Sequence, residues 1–300
     1  MANTSTNLPK NKLIAIVGET GSGKSGLALA LAERYGGEII CADSRTVYEG
    51  MDIGTAKPSA ADQQRVPHHL LDIVRPDQPY NASDFKAHAE AVMRAIWARG
   101  HTAFLVGGTG LYVDAVIYDY AFRPAHAADE REKLENLSVE ALQSVLKERD
   151  IELPENDQNP RHLIRAIETN GAVAVKKGLM PGSIVIGLKV PGSELERRIE
   201  QRVDTMLAAG LETEVRQLAE RYGWATDAMT AVGYAEWRPY LAGAGSLQDV
   251  RQNIITHTIQ YAKRQRTWFK RNKNIQWVES AEEADKIVAR FVSEGPQKAE

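Results

Sequence analysis

Gly18-Glu19-Thr20-Gly21-Ser22-Gly23-Lys24-Ser25 matches the whole G-x-x-x-x-G-K-[ST] pattern of a phosphate-binding loop, or P-loop. It stands between the apolar run Leu13–Val17, which predicts a strand, and Leu27–Tyr35, which has helical periodicity. Glycines let backbone N–H groups turn toward phosphate oxygens, and the helix N-terminus favours an anion. We expect Mg²⁺ on the Ser25 hydroxyl. The predicted diphosphate-binding residues of the loop are Gly18, Thr20, Gly21, Ser22, Gly23, Lys24 and Ser25.

Further apolar runs alternate with helical patterns along the chain. Glu38–Ala42 and Thr102–Val106 predict buried strands, the second after a helix over Ala82–Arg99. Ile184–Val190 predicts another strand, followed by a helix over Ser193–Ala209. Strands that alternate with helices imply a parallel sheet.

The pattern changes between about Arg123 and Met180. Helical periods over Glu130–Leu137 and Val139–Arg149 are highly charged, and Pro154 and Pro160 break the pattern. We therefore predict an α/β fold, a P-loop NTPase-like parallel sheet core with an inserted all-helical domain. The predicted boundaries are 12–122 and 181–280 for the core, 123–180 for the inserted domain, and 1–11 and 290–300 for flexible tails.

Composition limits the chemistry. The chain has 300 residues with 43% hydrophobic and 26% charged, which is ordinary for a globular protein, and its net charge of −3 leaves room for a local basic face. Its single cysteine, Cys41, excludes a disulfide framework and lies in an apolar strand, so we expect a core residue. His68, His69 and Asp72 lack the spacing of a zinc site. No stretch approaches the roughly 20 apolar residues that span a bilayer, so we expect a cytoplasmic protein without a membrane partner.

A P-loop alone fits a kinase, an NTPase or a transferase that uses a diphosphate. The run Thr102–Val106 ends in Gly107-Gly108-Thr109 without the carboxylate that a nucleotide hydrolase usually supplies, which weakens the NTPase reading. Asp43 and Ser44 follow the strand Glu38–Ala42 at the edge where parallel sheets bind ligands. Asp43 can therefore reach a substrate as a base, although Asp-Ser at a strand end can also be a helix cap.

Residues 261–271 interleave basic and aromatic side chains. Phosphate contacts require the first type and base stacking the second, so the stretch predicts an RNA-binding face. Helical spacing brings Arg264, Thr267, Trp268 and Arg271 near one another. The alternative is an amphipathic terminal helix that packs its aromatics inward.

Six motifs, in order over residues 12–278, carry a resemblance to a known family. They are Asp43-Ser44 with Tyr48, Met51–Pro58, Gly107–Tyr112, Asn159-Pro160-Arg161 leading into Arg165–Glu168, Ala231–Tyr234 and Tyr261–Phe269. In these the chain resembles the tRNA dimethylallyltransferase family. The resemblance implies a P-loop core with an inserted helical domain that binds tRNA.

The resemblance also implies an activity. The family transfers the dimethylallyl group from dimethylallyl diphosphate to N6 of an adenine adjacent to the anticodon in tRNA, and releases diphosphate. Mg²⁺ would be the cofactor, the tRNA anticodon stem-loop the macromolecular partner, and the protein a monomer. Asp43 would orient the amine, Thr109 would contact the reacting nucleotide, and Arg202 would reach the diphosphate. The implied tRNA-binding residues are Asp43, Ser44, Arg45, Thr46, Thr109, Arg131, Arg161, Arg165, Lys263, Arg264, Arg266 and Trp268.

The chain departs from the family pattern in places that concern RNA. Thr46 stands where the family often has Gln, Thr230 stands where Arg is common, and the insertion is short. Two other hypotheses stay open. A small-molecule kinase would turn over ATP without RNA, and a non-catalytic RNA-binding ATP switch would leave the adenine unchanged.

Overall fold

The computed structural model describes residues 11–122, 128–172 and 176–293. The chain divides into two compact units, one formed by residues up to 117 and from 179 onward, the other by Tyr118–Gly178. Of the tails predicted as flexible, residues 1–10 and 294–300 lie outside the described residues. Residues 290–293 correct the prediction for the second tail, because they form the last turn of a helix.

The first unit is built on a six-stranded parallel sheet with strand order β3-β2-β4-β1-β5-β6. Every residue of the central strand β1 is buried, as a strand covered on both faces requires. The strands are β1 (Leu13–Val17), β2 (Gly37–Cys41), β3 (His68–His69), β4 (Thr102–Gly107), β5 (Ser183–Leu188) and β6 (Ile275–Val278).

Helices follow most strands of the first unit, and three helices form the described part of the second unit. Those of the first unit are α1 (Lys24–Arg34), α2 (Ala60–Arg65), α3 (Ala82–Ala98), α4 (Gly110–Ile117), α8 (Gly192–Ala208), α9 (Leu211–Tyr222), α10 (Trp237–Leu241), α11 (Leu247–Lys270) and α12 (Ala281–Ser293). Those of the second unit are α5 (Ala128–Glu135), α6 (Val139–Glu148) and α7 (Pro160–Glu168). No helix in the described part of the chain is long and apolar enough to cross a membrane.

The predicted fold class is confirmed, and the predicted strands and helices lie within three residues of the observed ones at either end. Two edge strands, β3 and β6, were not predicted. Pro160, which we expected to break a helix, instead begins α7 at the position where its missing N–H costs nothing. The Asn159 side chain accepts the next free N–H, that of Arg161, at 3.0 Å.

Side chains of the sheet alternate between two buried faces. Ile14 and Ile16 of β1 pack against α1 and α12. A second apolar cluster joins α8, α9, α10 and α11 around the fully buried rings of Tyr234 and Trp237. That cluster includes Val47 and Met51, so it holds the segment after β2 against these helices.

A buried ion cluster lies at the beginning of β2. The Glu38 side chain is 3% exposed and accepts hydrogen bonds from Arg99 at 2.7 and 2.9 Å, with His69 at 2.6 Å and His101 at 2.7 Å. Burial opposes ionisation, but these partners together lower the pKa of Glu38 to about 2. Glu38 thus joins β2 to its neighbours at the sheet edge away from the P-loop.

In the second unit α5, α6 and α7 share a small apolar core that includes Leu142, Leu146 and Leu163. A buried carboxylate, Glu168, lies beside it and pairs with two arginines. Arg131 Nη1 lies 3.1 Å from Glu168 Oε1, and Arg165 Nη1 lies 3.3 Å from Oε2.

Candidate active site

The P-loop joins β1 to α1 and has the backbone that its glycines allow. Gly21 and Gly23 have φ values of 80° and 92°, a left-handed conformation that favours glycine. Lys24 Nζ donates to the Glu19 carbonyl at 3.2 Å. The Ser22 hydroxyl is buried and has no hydrogen-bond partner among the described residues. Ser22 lines neither of the cavities described below, so this hydroxyl lies inside the loop and the loop residues that face the smaller cavity are Thr20, Lys24 and Ser25.

Two partly buried cations, Lys24 and Arg202, line the cavity beside this loop. Burial lowers the pKa of Lys24 to about 8, against the opposing charge of Asp43, and Arg202 lowers it further. Burial also lowers the pKa of Arg202. A polyanion bound here would offset the unfavourable desolvation of both charges, so the site is suited to a diphosphate.

Two adjoining cavities open at the carboxyl end of the sheet. The larger, of about 250 Å³, is lined by α8, α11 and the 230–233 segment, and the smaller, of about 90 Å³, contains Lys24 and Ser25. Five residues line both cavities: Thr20, Asp43, Thr55, Arg202 and Tyr261. The predicted base therefore lies where a P-loop compartment meets a second, larger compartment.

Asp43 and Thr109 are brought together by the ends of β2 and β4. Asp43 Oδ1 accepts the Arg45 N–H at 2.8 Å, which makes a local turn in place of the helix cap we considered. Thr109 Oγ1 accepts the Ser44 N–H at 3.0 Å. The two strand ends approach so closely that a Cβ on Gly107 would lie 1.9 Å from the Ala42 carbonyl oxygen. Only glycine fits there.

The segment Met51–Pro58 forms a wall of both cavities, and one carboxylate holds it in place. Glu214 of α9 accepts the backbone N–H groups of three consecutive residues, at 3.0, 2.7 and 3.1 Å. It also accepts the Tyr234 hydroxyl at 2.6 Å. Arg202 Nη2 donates to the Thr55 carbonyl at 3.2 Å, so the segment positions one of the two cations.

Helix α11 contacts the P-loop through two consecutive side chains. Gln265 Oε1 accepts the Thr20 N–H at 2.8 Å, and its Nε2 donates to the Gly108 carbonyl at 2.9 Å. Arg266 forms an ion pair with Glu19, with Nη2 at 2.9 Å from Oε2. The structure thus places the Arg266 guanidinium, which was predicted to contact tRNA, against the P-loop carboxylate.

The face of α11 predicted by helical spacing is present as a groove of about 280 Å³. Its lining residues are Lys263, Arg264, Thr267, Trp268 and Arg271. Trp268 Nε1 donates to Asp114 at 3.2 Å, which fixes a ring that remains 38% exposed. Arg264 lies over the Tyr261 ring at 5.6 Å and also lines the larger cavity. The groove thus leads toward Asp43.

Other predicted RNA contacts divide into exposed and buried positions. Ser44 and Arg45 line the larger cavity, and Arg45 Nη2 contacts Thr230 Oγ1 at 3.4 Å. Thr46, also predicted to contact tRNA, is 6% exposed and lines the smaller, P-loop cavity, and its hydroxyl has no hydrogen-bond partner in the described part of the chain. In the second unit Arg161 is exposed at the start of α7.

Sequence reasoning missed Glu214 and Gln265. Gln265 falls on the buried stripe of α11 between Ala262 and Phe269. Glu214 lies next to the buried Leu211 and Val215 of α9. A polar residue on or beside an apolar stripe was the available signal, because such a side chain must find partners inside the protein.

The oxygen donors fit a Mg²⁺ ion that is held mainly by a substrate. The Ser25 hydroxyl and the Asp43 carboxylate line the same small cavity as Lys24. Within the described residues there is no group of three or more His, Cys, Asp or Glu side chains that could hold a metal. One or two protein oxygens together with phosphate oxygens is the usual environment of Mg²⁺ in phosphate sites.

Known proteins resemble this chain along most of its length. Residues 46–272 match the family described as IPP transferase. The tRNA dimethylallyltransferase of Pelotomaculum thermopropionicum is 39% identical over 92% of this chain and 93% of its own, and tRNA dimethylallyltransferase 1 of Citrifermentans bemidjiense is 43% identical over 90% and 92%.

A solved structure agrees with the sequence relatives. The crystal structure of the full-length tRNA isopentenylpyrophosphate transferase from Bacillus halodurans superposes with a TM-score of 0.74 at 36% identity. The match covers 94% of this chain and 97% of that one. The sequence motifs, the matched family and the shared fold agree, and the chain belongs to the IPP transferase family.

Proposed function

We propose that this protein transfers the dimethylallyl group of dimethylallyl diphosphate to N6 of an adenine adjacent to the anticodon in tRNA, and releases diphosphate. The observation that carries the proposal is the position of Asp43, where the cationic P-loop cavity adjoins the larger cavity. Full-length relatives named tRNA dimethylallyltransferase support it. Their names do not support the small-molecule kinase.

On the donor side, the P-loop would bind a leaving group. The C1–O bond of dimethylallyl diphosphate breaks, the electron pair stays on the diphosphate oxygen, and the allyl carbon gains positive character. Lys24, Arg202 and the loop N–H groups stabilise the growing negative charge. We propose that Ser25, with Asp43 nearby, holds Mg²⁺ on the diphosphate, where the ion would add positive charge next to the departing oxygens.

On the acceptor side, the adenine amine is a weak nucleophile because its lone pair is delocalised into the ring. The N6 nitrogen forms a bond to C1, and Asp43 accepts the proton that N6 loses. Thr109 Oγ1, held by the Ser44 N–H, would contact the reacting nucleotide. The products are the N6-dimethylallyl base, diphosphate and a proton.

The RNA would meet three groups of residues. We propose that Lys263, Arg264 and Trp268 of the α11 groove contact the RNA backbone and bases. Ser44 and Arg45 would contact the target nucleotide. The inserted domain, residues 123–180, would contact the anticodon stem-loop through Arg131, Arg161 and Arg165. A target adenine would leave its stack to enter the cavity. Because tRNA is the proposed substrate, the proposed location is the cytoplasm, and the proposed state is a monomer.

The test measures transfer of label from radiolabelled dimethylallyl diphosphate into unmodified tRNA in the presence of Mg²⁺. The Asp43→Asn variant keeps an oxygen for the Arg45 N–H but loses the base, and we expect a rate roughly 10²- to 10⁴-fold lower. The exposed Asp77→Asn variant, whose carboxylate contacts Arg75, serves as the matched control and should be unaffected.

Label in the tRNA from wild type and the control, but not from Asp43→Asn, supports the proposal. Label absent from every unmodified tRNA, with ATP consumed instead, would reject it in favour of the kinase. Binding of tRNA with ATP but no change in the adenine would favour the ATP switch.

A further inference from the structure

The buried Gln265 side chain forms hydrogen bonds with two different loops, one through its amide oxygen and one through its amide nitrogen. It is 5% exposed, lies on the buried stripe of α11 between Ala262 and Phe269, and is the neighbour of Arg264, which lines the α11 groove. Its oxygen accepts from Thr20 in the P-loop at 2.8 Å. Its nitrogen donates to the Gly108 carbonyl, one residue before Thr109, at 2.9 Å.

The two loops would bind the two different substrates of the proposed reaction. Thr20 belongs to the loop that would hold the diphosphate, and Thr109 would contact the adenine. The rate of a two-substrate transfer depends steeply on the distance between the reacting atoms, so a direct link between the two loops can set that distance.

The Gly108 backbone lies very close to the Gln265 amide. A Cβ added to Gly108 would lie 2.2 Å from Gln265 Nε2, so the backbone comes as near as glycine permits. On the other side, the Thr20 N–H is already used by Gln265 and is not among the amides free to bind a phosphate. Gln265 lines the smaller cavity, but the two hydrogen bonds that its amide makes here join it to the two loops.

We propose that Gln265 is a positioning residue that sets the spacing between the diphosphate-binding loop and the adenine-binding loop. The inference rests on the proposed function. The next residue reinforces it, because Arg266 holds Glu19, the neighbour of Thr20, so two consecutive residues of α11 fix two consecutive residues of the P-loop.

Two substitutions separate this role from packing. Gln265→Met has a similar volume but makes neither hydrogen bond. Gln265→Glu keeps an oxygen for the Thr20 N–H, yet as a carboxylate it cannot donate to the Gly108 carbonyl, so it breaks one side of the link alone. Gln252→Met, at an exposed position nearer the N-terminus of the same helix, is the matched control.

The experiment is single-turnover transfer to unmodified tRNA at saturating concentrations of both substrates, together with the KM for dimethylallyl diphosphate, tRNA affinity and Tm. We expect the transfer rate to fall by about 10- to 100-fold in both Gln265 variants, with KM and tRNA affinity close to wild type. The control should transfer at the wild-type rate.

Several outcomes would overturn the inference. A raised KM with an unchanged transfer rate would make Gln265 a ligand-binding residue. A rate loss that disappears when it is corrected for the fraction of folded protein would make its role purely structural, and equal rates in all proteins would deny it any role. Absence of label even with wild type would instead reject the proposed function, and the inference with it.

Discussion

The partly buried lysine of the P-loop gives a measurable signature of diphosphate binding. Burial holds the pKa of Lys24 at about 8 in the free protein, below its ordinary 10.5. A bound diphosphate supplies negative charge beside the amine and should return the pKa at least to the ordinary value. Binding then takes up a proton at any pH between the two values.

The size of this uptake follows from the two pKa values. At pH 9 about one-tenth of Lys24 is protonated in the free protein and nearly all of it in the complex, so binding takes up about 0.9 proton. At pH 7 the uptake is only about 0.1 proton. The affinity for dimethylallyl diphosphate should fall as the pH rises above 8, by up to roughly 300-fold for a complete return to 10.5.

Isothermal titration calorimetry measures the uptake. Dimethylallyl diphosphate is titrated into the protein without tRNA, at pH 7, 8 and 9, in pairs of buffers that differ in ionisation enthalpy. At pH 8 and 9 the ligand phosphate contributes little, because the last proton of such a group leaves near pH 6, whereas at pH 7 its release of about 0.1 proton offsets the small uptake by Lys24. NMR titration of the Lys24 amine in the free protein provides an independent value.

The control is Lys24→Arg, because arginine carries its charge throughout this pH range. We expect proton uptake near zero in this variant. Uptake below about 0.2 proton at pH 9 in wild type, or equal uptake in wild type and Lys24→Arg, would refute the argument that burial has moved the Lys24 pKa.

Three further predictions concern stability and RNA binding. Glu38→Gln should lower the free energy of unfolding, measured by urea unfolding, by on the order of 3 kcal/mol at pH 7. Because the pKa of Glu38 is lower in the folded than in the unfolded protein, wild type should lose this advantage over the variant as the pH falls from 4.5 to 2. Glu214→Gln should cost about 1–3 kcal/mol, because an amide has only one accepting oxygen for the three N–H groups, whereas the exposed Glu220→Gln on the same helix should leave Tm unchanged. Lys263→Gln should make the negative slope of log affinity for tRNA against log salt concentration shallower by about 0.7–0.9. An equal change in Arg266→Gln would contradict the assignment of Arg266 to the P-loop.

The parts of the fold that the sequence predicted are those with a strong local pattern. Four strands of the core are apolar runs of five or six residues, and the P-loop motif marks the turn between β1 and α1. The missed β3 has two residues, which is too short to show any period. The missed β6 is a four-residue edge strand whose inner residues, Gln276 and Trp277, are exposed.

The candidate site was predictable where the topology alone fixes a position. Asp43 and Thr109 follow two strands of a parallel sheet, so they had to meet at one edge. Topology alone does not determine which way a side chain points in the loop that follows a strand. Thr46 lies within a turn that the hydrogen bond from the Tyr48 N–H to the Arg45 carbonyl closes at 3.2 Å, and its side chain lines only the smaller of the two cavities that Asp43 joins.

Arg266 shows how far the spacing argument could have been extended. A helix turns about 100° per residue, so residues two apart point about 200° from each other. The spacing that grouped Arg264 with Thr267 and Trp268 on one face therefore places Arg266 nearly opposite Arg264. Basic composition made Arg266 look like an RNA contact, but helical geometry turns it away from Arg264, and it pairs with Glu19 of the P-loop. One helix can thus carry the proposed RNA-binding side chains on one face and hold the P-loop with other residues, and the angle around the helix separates Arg266 from Arg264.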